Sequence, residues 1–179
     1  MLFFVASLKA NGFEKIDAVI FNAATTMDDG SLSADGVDMQ YQVNHLSHFL
    51  LANLLVPFLR DGSRIVFVSS LNHYIGKLTP SSMKAYSLPS KNADPKTHVG
   101  GMQLYSDTKL MNSMTAVELS IRYPQIVVTS VHPGFVQSDL DQDGNAIAAL
   151  IMPYLRSKLM ARSTASGALS NFASRRIQR

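Results

Sequence analysis

Tyr105 and Lys109 stand four residues apart in the segment Tyr105-Ser-Asp-Thr-Lys109. On a helix that spacing puts both side chains on one face, so a phenol and an ammonium can point into one cleft. A neighbouring positive charge favours phenolate and draws a tyrosine below its reference pKa of about 10. A tyrosine tuned in this way can give or take a proton near neutral pH. Tyr154 and Lys158 share the spacing, so spacing alone does not choose between the two pairs.

The elements that would carry these residues make the choice. Three short runs read as buried parallel strands: Ile16–Asn22, Arg64–Ser70 and Ile126–His132. Between the first two, a long helical pattern begins with Asp35 as its cap and runs from Val37 towards Pro57. A second helix fits Met102 to Arg122, and a short one fits Ala6 to Lys15. Strand, helix, strand, helix, strand is the alternation that parallel crossovers demand. The fold class is therefore α/β, a doubly wound parallel sheet.

Ligands of such sheets bind at the carboxyl ends of the strands. Those ends carry Asn22-Ala23-Ala24, Ser69-Ser70 and His132-Pro133-Gly134. A serine there can donate a hydrogen bond to a developing oxyanion, and a glycine lets the backbone approach a ligand closely. Tyr105 follows the serine-bearing strand, whereas Tyr154 lies beyond the last strand and reads as a packing residue.

Composition bounds the rest. The 179 residues are 46% apolar and 16% charged, which suits one globular domain and excludes a disordered chain. No cysteine is present, which excludes disulfides and thiolate catalysis. The opening Met1-Leu-Phe-Phe-Val lacks the basic flank of a signal peptide, and no apolar run reaches bilayer length, so a cytoplasmic protein without a membrane span is expected. Basic residues gather in the second half, but without interleaved aromatics, so no nucleic-acid partner is expected.

His45 and His48 have helical spacing but no third ligand, so they read as buried histidines and no metal is expected. His132 lacks the Gly-x-Ser-x-Gly elbow of a hydrolase. The patch 146–153 suits either a substrate pocket or core packing. A final helix is expected near Ala165 to Arg175. The stretch 71–101, with Pro80, Pro89 and Pro95, reads as an inserted loop.

Taken together, the motifs resemble the short-chain dehydrogenases/reductases. They are Asn22-Ala-Ala24, Val43-Asn44-His45, the serine of Val68-Ser-Ser70, Tyr105-x-x-x-Lys109 and Pro133-Gly-Phe-Val-Gln-Ser138, in the family's order. Tyr41-Gln-Val-Asn-His-Leu-Ser-His-Phe49 and Ser69-Ser-Leu-Asn-His73 give a closer likeness to the branch of retinol dehydrogenases and WW-domain-containing oxidoreductases. The resemblance implies a Rossmann-like fold and hydride exchange between NAD or NADP and a small apolar alcohol or carbonyl compound.

It also implies roles. Tyr105 would be the acid/base, with Lys109 lowering its pKa and holding the nicotinamide ribose. Ser70 would orient the carbonyl, and Asn44 would hold a water in the proton relay. Asn22 would support the sheet beside the adenine end, with Ala23 and Ala24 also on the cofactor, while Pro133, Gly134 and Ser138 would line the nicotinamide. A homodimer through the helices at 37–59 and 102–122 follows from the same likeness.

The chain departs from the family in two ways. Ala24 replaces a glycine, and no Thr-Gly-x-x-x-Gly-x-Gly pyrophosphate turn occurs, nor the residue that sets NAD against NADP preference. Residues 1–179 are thus expected to form a single partial NAD(P)-binding domain, incomplete for want of the first βαβ units and the last strand. Two other readings are a non-catalytic relative unable to hold cofactor, and an epimerase or dehydratase sharing the Tyr-x-x-x-Lys helix.

Overall fold

The computed structural model describes residues 1–26, 31–87, 101–136 and 161–162. Helix α1, Leu2–Ala10, precedes strand β1, Ile16–Phe21. It starts earlier than the expected 6–15, and it stops earlier because Gly12 takes a left-handed φ of 70° that a continuing helix does not accommodate. The next helix begins at α2, Met39–Tyr41, passes through a π-helical turn at Gln42–Leu46, and continues as α3, Ser47–Leu55. Its cap is Asp38 rather than Asp35. Asp38 Oδ1 accepts from the backbone N–H groups of Gln40 and Tyr41 at 2.8 and 3.2 Å. Asp35 instead lies in a turn in which Gly36 N donates to Ser33 O.

Strand β2 spans Leu59–Val68, beginning before the expected Arg64 and ending before Ser70. The early start is an irregular opening around Gly62, at φ 80°, before β2 settles into register with β1 from Arg64 onward. Ser63 Oγ closes it, donating to Ile16 O at 2.7 Å and accepting from Arg60 N at 3.0 Å. A 3-10 turn, Leu71–Ile75, follows, then helix α4, Pro80–Ser87. Thr79 and Ser82 start α4 by reciprocal capping, each side-chain oxygen accepting from the other's backbone N–H, at 3.0 and 3.1 Å. The long helix α5 is Gly101–Arg122, and strand β3 is Val127–Val131. Two-residue strands β4, Phe135–Val136, and β5, Ala161–Arg162, pair in parallel.

The main sheet has the order β1-β2-β3 and is parallel throughout. One core cluster unites Phe21, Ile65 and Phe67 of the strands with Ala52 of α3 and Ala116 and Leu119 of α5. Both helices therefore lie on the same face of the sheet, as right-handed crossovers in one direction require. Phe21 and Phe67 stack at 4.8 Å between ring centroids. Among the described residues, no helix is long and apolar enough to cross a membrane.

Candidate active site

Parallel register fixes where the chemistry gathers. Phe21 pairs with Phe67, and Val68 with Val131, so the residues after each strand emerge at one edge. Asn22 and Ala23 are exposed there, while Ala24, Ser70, Pro133 and Gly134 are half-buried. Gly134 has a φ of 77°, a conformation that explains glycine at this strand end. Ser138, Tyr154, Lys158, the patch 146–153 and the expected helix 165–175 lie outside the described residues.

Helix α5 lays Tyr105 and Lys109 against this edge, both buried. The Lys109 ammonium donates to Val68 O at 3.1 Å and sits 5.5 Å from the Tyr105 ring centroid. Ser69 Oγ donates to Lys109 O at 2.8 Å, so β2 and α5 are joined from both sides. Burial pushes the Lys109 ammonium down to about 8, because removal from water penalises its charged form.

Ser69 and Ser70 point in different directions, as neighbours in extended chain do. Ser70 Oγ accepts from Asn72 N at 3.2 Å and so caps the 3-10 turn. The carbonyl of Ser70 meets His73 Nδ1 at 2.5 Å.

Asn44 occupies the π-helical turn with no exposed surface. Its Oδ1 accepts from Thr25 N at 2.7 Å and its Nδ2 donates to Thr25 O at 2.8 Å. This tie holds the segment that follows Ala24. On the other side, Asn112 Nδ2 donates to Asn44 O at 2.9 Å, and Asn112 Oδ1 contacts His45 Nδ1 at 3.0 Å. A side chain reaching into the helix ladder is an established cause of such local widening, and π turns recur at functional sites.

Asn112 and Thr25 escaped the sequence reading. Asn112 was discoverable, because it falls three residues after Lys109 and seven after Tyr105, on the same helix face. Thr25 carried no such periodicity. Of the two histidines, His45 is lowered by burial, and His48 is held down to about 4, chiefly by burial and then by the charge of Lys109. His48 packs on Phe21 at 5.2 Å between centroids.

A cavity of about 410 Å³ runs between α5 and β3, lined by Ser69, His73, Ser113, Ser130 and His132 among others. Neither Tyr105 nor Lys109 borders it.

No family model matches the chain. It is 38% identical to retinol dehydrogenase 11 of Homo sapiens, over 73% of this chain and 41% of that protein. It is 31% identical to the WW domain-containing oxidoreductase of Drosophila melanogaster, over 90% of this chain and 40% of that one. The chain thus spans about two fifths of each relative's length. Its fold matches a short-chain dehydrogenase/reductase of Serratia marcescens with a TM-score of 0.61, at 20% identity, over 96% of this chain and 61% of that one. Parallel strands ending in Asn22-Ala-Ala24, Ser69-Ser70 and Pro133-Gly134, with Tyr105 and Lys109 buried beside them, agree with these likenesses. The chain belongs to the short-chain dehydrogenase/reductase family, in the branch of the retinol dehydrogenases and WW domain-containing oxidoreductases.

Proposed function

We propose that this protein is an oxidoreductase exchanging a hydride between NAD(P)(H) and a small apolar alcohol or carbonyl compound, with Tyr105 as general acid and base. The observation that carries the proposal is the buried Lys109 ammonium beneath the Tyr105 ring, at the common end of three parallel strands. NAD(P)(H), when bound, supplies or takes the hydride, so the protein contributes position and proton transfer.

The residues present fit the nicotinamide-ribose end of that cofactor. Lys109 and Tyr105 would hold the ribose. Pro133, Gly134 and Ser138 would line the nicotinamide, and Asn22, Ala23 and Ala24 would lie along the rest of the cofactor, Asn22 beside its adenine end. In the reducing direction, Tyr105 Oη–H passes its proton to the substrate oxygen, and in oxidation the phenolate takes one. The Lys109 ammonium favours the phenolate by charge. Ser70 Oγ–H donates to the same substrate oxygen and orients it. Asn44 fixes the segment after Ala24 and belongs to the proton relay.

Exposed apolar residues on α3 (Phe49, Leu50) and α5 (Met114, Val117, Ile121) support a homodimer through these helices. The test of function is turnover of a carbonyl panel with NADH or NADPH by the purified protein. Activity that disappears in Tyr105→Phe supports the proposal. Activity that survives this change contradicts the mechanism, and the absence of both turnover and saturable cofactor binding in the native protein favours the non-catalytic relative unable to hold cofactor.

A further inference from the structure

Asp107 lies between the two catalytic candidates in sequence, yet it faces another way. Only 1% of its surface is exposed. Its Oδ1 accepts from Lys77 N at 2.6 Å and from Gln103 Nε2 at 2.8 Å. Its Oδ2 accepts from the Tyr86 hydroxyl at 2.7 Å. Burial, and then Asp107 itself, raise the Tyr86 phenol well above its ordinary value, so it remains a donor. One carboxylate thus grips the chain at two places, Lys77 and Tyr86, on either side of the start of α4.

The first grip is close to the site. From Ser70 the chain makes the 3-10 turn Leu71–Ile75, passes Gly76, and reaches the bond at Lys77. Gly76 lies flush on α5: a Cβ there would meet Leu110 Cβ and Ser106 O, each at 3.0 Å. The second grip seats Tyr86 among Tyr41, Leu104 and Met111. We propose that Asp107 is a positioning residue of the reaction, clamping the Ser70 turn and α4 onto α5 so that Ser70 keeps its place relative to Tyr105. This inference rests on the oxidoreductase reading above.

Three variants test it: Asp107→Ala, Tyr86→Phe and Asp107→Asn. Asp107→Ala is expected to lower kcat/KM about tenfold, while the Kd for NADPH stays within about twofold. Tyr86→Phe removes one grip and is expected to lower kcat/KM about threefold. Asp107→Asn keeps Oδ1, and its Nδ2 can donate to a reversed Tyr86 hydroxyl, so it should recover most of the loss. In a Ser70→Ala background, Tyr86→Phe and Asp107→Ala should each cost almost nothing further, because both act through Ser70. Losses that simply add to that of Ser70→Ala would overturn the proposal.

Should Asp107→Ala fail to fold, Tyr86→Phe carries the cycle alone. Amide hydrogen exchange over residues 77–87 supplies the readout independent of activity. Faster exchange there in Tyr86→Phe supports the clamp, even if the native protein turns over no substrate and the oxidoreductase reading fails. Unchanged exchange overturns the clamp in either case.

Discussion

Lys109 sits where burial and charge oppose each other. Its ammonium is drawn out of water under an aromatic ring, with the Val68 carbonyl as a hydrogen-bond acceptor. General acid–base catalysis typically contributes 10²–10⁴-fold, so Tyr105→Phe is expected to reduce turnover by about that factor while leaving NADPH binding in place, as checked by fluorescence titration. Asn44→Ala removes both hydrogen bonds to Thr25 and is expected to cost about 2–3 kcal/mol of stability, read from urea unfolding. Helical spacing together with the strand ends already singled out Tyr105 and Lys109, and the family resemblance added Asn44. Their partners were harder to read. Thr25 and Val68 act through backbone groups, which every residue possesses, and Asp107 looked like one more polar residue until Tyr86 and Lys77 were folded against it.

At the scale of elements, the apolar runs of β1, β2 and β3 were legible in sequence, although only β2 is buried as expected, over Ile65–Val68, while β1 buries Phe21 alone and β3 is half-buried. The ends were not legible. Asp35 and Asp38 are equally good caps by type, and only the turn at Gly36 assigns the helix start to Asp38. The π-helical turn also had no sequence signature, since its partner Asn112 arrives from a distant helix. Phe67, fully buried against Phe21 in the central strand, anchors the contact between sheet and helices. Phe67→Ala is expected to cost about 3–5 kcal/mol, visible as a lowered urea midpoint. A methyl at Gly76 would press on Leu110 Cβ and the Ser106 carbonyl. Gly76→Ala should therefore destabilise the native state and speed amide exchange in the adjoining turn.

For the whole molecule, the buried bases couple stability to pH in two windows. His48 is held at about 4 against an ordinary 6.5. Between those values the unfolded chain binds a proton that the native state refuses, so stability falls as pH drops from 6.5 towards 4. Lys109 stands at about 8 against 10.5, and by the same sign stability rises as pH climbs from about 8 to 10.5. Urea midpoints across pH should show both slopes, the first flattened in His48→Gln. The chain covers about two fifths of its curated relatives, and the proposed function assigns Tyr105 and Lys109 to the nicotinamide end of the cofactor. The most direct test of the account is NADPH-dependent reduction of a small apolar carbonyl compound by native protein and by Tyr105→Phe under identical conditions. The account predicts loss of NADPH absorbance with the native protein and almost none with the variant. Equal rates for the two would contradict it.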